Sequence, residues 1–176
     1  MQLNLVPHPS TPPVQPLKLW ASVDHAAGFG ATATLNIWFG IGAPLERFAI
    51  PAGDGVRRDG LWQATCFEAF LNREGAASYQ EWNFAPSGDW AAYDFTSYRD
   101  GMTEAEVANP PYIRVEDNLT WWTVGATIAV PTGVSRCLGL SAVIEEADGT
   151  KSYWALAHHG AKPDFHDPGC FTARLA

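Results

Sequence analysis

Much that would assign this chain to a familiar class is scarce or missing. It has three cysteines, Cys66, Cys137 and Cys170, odd in number and far apart. They suit neither a disulfide framework nor a CxxC metal knuckle, and each lies in or beside an apolar run, as a packed thiol does. Basic residues are few: 11 Lys plus Arg stand against 19 Asp plus Glu, for a net charge of −8. Such a field repels phosphate backbones and anionic membranes, so nucleic acid is excluded as a partner. No apolar run approaches the roughly 18–20 residues a spanning helix needs, which argues against a membrane protein. The opening MQLNLVPHPSTPPVQP lacks a basic n-region and an apolar h-region, so a cytoplasmic location is expected.

Familiar motifs fail in the same way. Gly28-Phe29-Gly30-Ala31-Thr32-Ala33 mimics a dinucleotide loop, but strand-like sequence follows where a helix N-terminus is required. Ser141 and Ser152 have no G-x-S-x-G setting, so a serine hydrolase has no support. Asn118-Leu119-Thr120 is a glycosylation sequon that matters only in a secreted protein.

What is present is a period of two. Residues 31–42, 66–72, 79–84, 119–130, 138–146 and 152–158 are short, rich in aromatic and β-branched residues, and mostly bounded by Gly, Pro, Asp or Asn. Asp148-Gly149 is a hairpin signal that would set Glu146 opposite Lys151. One stretch invites a helix of about two turns: Thr103 and Glu106 have capping-box spacing, and Pro110 and Pro111 limit it. Residues 1–16 form a proline-rich N-terminal segment, of which 7–16 reads as coil or edge. The chain is therefore expected to be one all-β domain over 1–176, a two-sheet antiparallel β-sandwich with at most one or two short helical turns. Phe67, Leu71, Trp122, Val124, Ile128, Leu140, Ile144 and Leu156 should be buried between the sheets.

Residues 57–99 are the informative region. Pairing 66–72 with 79–84 around a loop at 73–78 sets Glu68 opposite Asn83 and Phe70 opposite Glu81. A second hairpin turning at Ser87-Gly88-Asp89 sets Asn83 opposite Tyr93. Opposed residues share a face, so Glu68, Glu81, Asn83 and Tyr93 should cluster on one surface, while Phe67, Ala69, Leu71, Trp82 and Phe84 point to the core. A plain solvated face would mix Lys, Thr and Ser; this one holds acid, amide and phenol with aromatics beside them. Arg99, just past the third strand, could swing over as a donor to Glu68 or to ligand oxygens.

These residues carry a resemblance. Trp62, the strand Cys66-Phe67-Glu68-Ala69-Phe70-Leu71, the strand Tyr79-x-Glu81-x-Asn83 and the turn Pro86-Ser87-Gly88 resemble the DOMON-like superfamily, and within it the family 9 carbohydrate-binding modules. The resemblance implies a β-sandwich that binds a carbohydrate or similar small polar ligand without catalysis. Trp62 would be one aromatic wall of the sugar slot, Glu68 the acceptor for hydroxyls and Asn83 the amide on the next strand. Phe165, in Pro163-Asp164-Phe165-His166-Asp167, would be the second wall where the family has Trp. Cys66 departs from the acidic residue the family commonly carries there.

Two other classes stay open. Some DOMON relatives hold haem through Met and His, which here would need Met102, or a pair such as His158 and His166. Glu68 and Glu81 are diagonal neighbours about 7–8 Å apart, within the carboxyl spacing of an inverting glycosidase. The expectation is a ligand-binding monomer or weak dimer with no metal and no required cofactor, with haem and calcium left open. For the loop 158–167 structural and capping roles come first, then contact with a small ligand.

Overall fold

The structure, a computed structural model, describes residues 1–26 and 31–175. Of the dinucleotide-loop mimic at 28–33, residues 28–30 lie outside the described residues, and Thr32 and Ala33 belong to a strand. In chain order the strands are β1 (Gln2–Pro7), β2 (Leu19–Ala26), β3 (Thr32–Ile41), β4 (Cys66–Arg73), β5 (Tyr79–Phe84), β6 (Trp90–Phe95), β7 (Thr103–Glu104), β8 (Tyr112–Asn118), β9 (Trp121–Pro131), β10 (Arg136–Glu145), β11 (Lys151–Ala155) and β12 (Ala173–Leu175). Among the described residues the only helical structure is three 3-10 turns, at Leu45–Arg47, Leu61–Gln63 and Pro168–Cys170. None is long or apolar enough to cross a membrane.

All strand pairs are antiparallel, and they form one strongly curled sheet in the order β7-β6-β5-β4-β10-β11-β1-β2-β3-β9-β8, with β12 added beside β10. This corrects the expectation of two separate sheets. The reason is β1, whose Gln2–Leu5 pair with β2 while Val6 and Pro7 pair with β11. One strand thus serves both halves, and hydrogen bonding passes through it without a break. The proline-rich reading of 1–16 hid this strand, because its prolines begin only at Pro7.

The two halves of the sheet close on one core. Phe39 of β3 meets Phe67 of β4 at 5.0 Å between ring centroids, and Phe67 meets Trp122 of β9 edge-on at 5.8 Å. Of the expected core residues, Phe67, Leu71, Trp122, Val124, Ile128, Leu140 and Ile144 are buried. Leu156 is only half-buried, because β11 ends at Ala155 and the chain leaves the sheet there.

Two further expectations fail for local reasons. Thr103-Glu104 is not helical but forms the short edge strand β7 against β6. Ala105 is buried and its carbonyl accepts from Arg57 Nη2 at 3.0 Å, so tertiary contacts override the capping-box signal. In the β10–β11 hairpin Lys151 faces Glu145, not Glu146, with a 3.6 Å ion pair. Glu146 instead turns inward, accepting from Arg47 Nε at 2.8 Å and from the Val14 N–H at 2.7 Å.

Candidate functional site

The β4–β5 register is the expected one: Glu68 faces Asn83 and Phe70 faces Glu81. The β5–β6 register is shifted by two, so Tyr93 faces Glu81 and Asn83 faces Ala91. A shift of two keeps every side chain on its face. Tyr93 therefore stays on the surface assigned to it, one pair further along.

That surface forms the floor of a cavity of about 360 Å³, lined by Trp62, Glu68, Glu81, Phe95, Arg99, Met102, Val143, Tyr153, Pro163, Phe165 and His166. Trp62, Glu68, Glu81, Arg99 and Phe165 are thus brought together as the sequence suggested. Asn83 and Tyr93 stand behind them. Asn83 is fully buried and donates from Nδ2 to Glu81 Oε1 at 2.7 Å, fixing that carboxyl. Tyr93 donates its hydroxyl to Asp59 and meets the Trp62 ring edge-on at 5.9 Å, holding the 3-10 turn that carries Trp62. Trp62 itself is 36% exposed and forms the rim.

The two carboxyls of the floor are 2% and 5% exposed. Glu68 Oε2 accepts from the Ser141 hydroxyl of β10 at 2.9 Å. Burial pushes Glu68 up to about 8; the neighbouring Glu81 adds to this, and the Ser141 bond and Arg99 oppose it. Burial also raises Glu81, opposed by the Asn83 amide and by Arg99. Burial, reinforced by the Arg99 charge, holds His166 down at about 4. Burial thus favours a retained proton on the Glu68–Glu81 pair and a neutral His166 imidazole beside it.

Arg99 does not bond Glu68. It pairs with Asp164 of the 158–167 loop, at 2.8 Å from Nη2 and 3.2 Å from Nε, and Asp164 also accepts from the Tyr98 hydroxyl. The reason is the turn it sits on: Arg99 has φ 53°, and its N–H donates to the Tyr79 hydroxyl at 3.2 Å. A left-handed conformation at a non-glycine residue costs on the order of 1–2 kcal/mol. It aims the guanidinium at the loop rather than down at the floor. Tyr79 also meets His166 Nδ1 at 2.7 Å. The phenol oxygen thus serves both the Arg99 N–H and the Nδ1 side of the ring, and leaves Nε2 of His166 to the carboxyl side. That nitrogen lies 3.7 Å from Glu81 Oε2.

His158, His159 and Asp167 of the same loop make structural contacts. His158 Nε2 meets the Val6 carbonyl at 2.9 Å, and His159 Nε2 the Gly169 carbonyl at 3.0 Å. Asp167 Oδ1 caps the last 3-10 turn by accepting from the Gly169 N–H. Phe171 then lies over β10 where Gly139 leaves room, since a Cβ there would stand 2.4 Å from the Phe171 ring. Met102 reaches the cavity alongside His166, but both His166 nitrogens face Tyr79 and Glu81. Cys66 and Cys170 are buried; the Cys66 thiol lies 3.5 Å from Asn83 Oδ1, and burial pushes it well up.

Several contributors escaped the sequence reading. Tyr79 was legible in principle, since it lies two residues before Glu81 on the same face of one strand. Ser141 required knowing that β10 lies beside β4. The Asp164 clasp joins a turn to a loop far along the chain, and no local pattern signals it.

No protein-family model matches the sequence, and no curated protein does. Solved structures do match. A candidate carbohydrate-binding protein from Bacteroides uniformis superposes with TM-score 0.67 at 16% identity, over 99% of this chain and 85% of that one. A family 9 carbohydrate-binding module from Caldicellulosiruptor kristjanssonii, solved with glucose, superposes with TM-score 0.47 at 14% identity over 82% and 69% of the two chains. The same module with cellotriose gives 0.47 at 15% identity over 82% and 67%. The family 9 modules named by the sequence resemblance are thus among the structures this chain is similar to, whereas the wider DOMON-like relation rests on the motif alone. At these identities the likeness concerns architecture, and this chain has the fold of the Bacteroides uniformis protein.

Proposed function

We propose that this protein binds a carbohydrate or closely similar polyhydroxylated small molecule in the cavity behind Trp62, without transforming it. One observation carries the reading: a half-exposed tryptophan and a buried phenylalanine, Phe165, share one cavity with two buried carboxyls and an arginine. Sugar rings present apolar C–H faces that stack on aromatic rings, and hydroxyls that need strong, fixed partners. Glu68 and Glu81 supply those partners from the paired strands β4 and β5. The carbohydrate-binding description of the Bacteroides uniformis protein with this fold agrees with the proposal.

The placement of the carboxyls supports a non-catalytic role. A glycosidase needs its two carboxyls flanking the scissile bond. Here Glu68 and Glu81 rise from neighbouring strands on one face of one sheet, so both meet a ligand from the same side. Titration calorimetry and thermal shift against a panel of mono- to trisaccharides test the reading. A bound sugar raises the melting temperature by mass action. Trp62→Ala, at an exposed rim position, should lose that shift while its own melting temperature stays near the parent's. A panel in which no sugar at millimolar concentration shifts the protein would overturn the proposal. Release of reducing ends from any bound glycan would overturn the non-catalytic part alone.

A further inference from the structure

We infer that the sugar taken by this cavity carries a protonated amine, whose ammonium group seats against Glu68 and Glu81 beneath the aromatic lining. The inference rests on the carbohydrate reading above and specifies its ligand class.

The argument is a charge count at the cavity floor. Glu68 and Glu81 both line the cavity and are almost wholly out of water. Among the described residues neither has a lysine or arginine within ion-pair distance. Glu68 is met by a serine hydroxyl, and Glu81 by an amide and a neutral histidine at 3.7 Å. The nearby guanidinium, Arg99, is engaged by Asp164. With Asp164 included, the site holds three carboxyl groups to one guanidinium, and that guanidinium is paired to Asp164. Two desolvated carboxyls facing an open space without a counter-charge are costly as a pair, and the empty protein relieves them only by retaining a proton.

A neutral sugar can hydrogen-bond to these groups but leaves the charge unbalanced. An ammonium group supplies the missing charge and three N–H donors to share between the two carboxyls. The other walls suit a cation as well. Trp62, Phe95, Tyr153 and Phe165 line the same space, and a cation over an aromatic face is attracted by the ring, more strongly as water is excluded. An anionic sugar is opposed on both counts. The cavity volume of about 360 Å³ lies near the small end of the roughly 300–1,000 Å³ typical of small-molecule sites. It has room for one or two rings. The net charge of −8 draws cations toward the protein from a distance.

Proton uptake and release give an independent readout. Glu68 is faced by Glu81 from β5, Ser141 from β10, the charge of Arg99 from the 97–100 turn and Cys66 on its own strand; Glu81 is faced by Tyr93 from β6, Tyr79 on its own strand and His166 from the loop. With Glu68 holding its proton up to about 8, an arriving ammonium ionises it and sends that proton to the buffer. Affinity should therefore rise from pH 6 upward and level off once the amine itself begins to lose its proton.

The test is titration calorimetry on the intact protein with matched sets: glucose, glucosamine and N-acetylglucosamine; galactose, galactosamine and N-acetylgalactosamine; and cyclohexylamine, a ring-sized amine without hydroxyls. The inference expects at least one amino sugar to bind tenfold or more tightly than its parent. Its N-acetyl form should lose that gain, and a proton should be released that scales with buffer ionisation enthalpy. Glu68→Gln should weaken the amino sugar more than the parent. Equal affinity for parent and amino sugar overturns the inference and leaves the carbohydrate reading standing. Cyclohexylamine binding as tightly as the amino sugars, with neutral sugars inert, overturns the carbohydrate reading and the inference together.

Discussion

Strands β3 and β4 lie in the two halves of one sheet, and their contrast explains where the site is. In β3, Ala33, Leu35, Ile37 and Phe39 are buried while Thr34, Asn36 and Trp38 between them are half-exposed. This is the ordinary alternation of an antiparallel strand with one wet face. In β4 every residue from Cys66 to Asn72 is buried. Its inward face, Phe67, Ala69 and Leu71, joins the main core. Its outward face is roofed by the 158–171 segment, where Phe171 stacks on Phe70 at 5.5 Å between centroids. An antiparallel strand with two dry faces has been given a cover, and polar groups trapped beneath that cover need a purpose or a partner. Under β3 no such demand arises: Asn36 simply accepts from Thr127 at 2.8 Å across the open face.

The contrast can be broken or sharpened by substitution. The largest effect is expected at Phe67, where the two halves of the sheet meet. Phe67→Ala should cost about 3–5 kcal/mol in urea unfolding. A loss under about 1 kcal/mol would show that the halves are stable apart.

Next comes the covered face of β4. The folded-state value of Glu68 lies above its unfolded one, so its contribution to stability is whole below about pH 4.3 and is lost as pH climbs toward about 8. Glu68→Gln, which mimics the neutral acid, should raise the melting temperature by about 5 °C at pH 9 and change it by less than about 1 °C at pH 4. His166 works in the opposite sense: its value is depressed to about 4, so stability is whole above about pH 6.5 and is lost as pH falls through 4. A parent protein whose melting temperature is flat from pH 4 to pH 9 would contradict both assignments.

Smaller is the clasp that closes the cover. Asp164→Asn should cost about 1 kcal/mol or less, because Arg99 is half in solvent. It should nevertheless speed amide exchange in residues 161–167 well beyond the change in global stability. Smallest is the wet face of β3, where Thr34→Ala should stay within about 0.5 kcal/mol by thermal melting and leave ligand binding untouched.

The sequence made the alternating strands legible, since period and turn residues are local signals. Strand β5 was readable end to end, and the β4–β5 register followed from loop length. Strands β1, β2, β8 and β12 were not read. Prolines close behind β1, and the polar, exposed residues of β8, masked their periodicity. The β6 register slipped by two because the turn at Ala85–Asp89 is closed by two backbone bonds, Ala85 N–H to Asp89 and Gly88 N–H to Ala85, which no composition rule fixes. At the site, the residues on β4 and β5 were legible because neighbouring strands share a face. The Arg99–Asp164 pairing was not, because it depends on a backbone conformation, φ 53°, that the sequence around Arg99 does not announce.

The strand that belongs to both halves also governs how the molecule comes together in time. β1 pairs with β2 close by in the chain, but Val6 must find Ala155, near the far end. Contacts between such distant residues impose a large loop-closure entropy before they return any stabilisation, and proteins dominated by them fold in milliseconds to seconds. The half containing β2, β3, β8 and β9 carries a distant pairing of its own, since Thr32 must find Pro131 and Ile41 must find Trp122. The half carrying the cavity awaits β10 and β11, so a ligand meets a competent site only after nearly the whole chain has found its place.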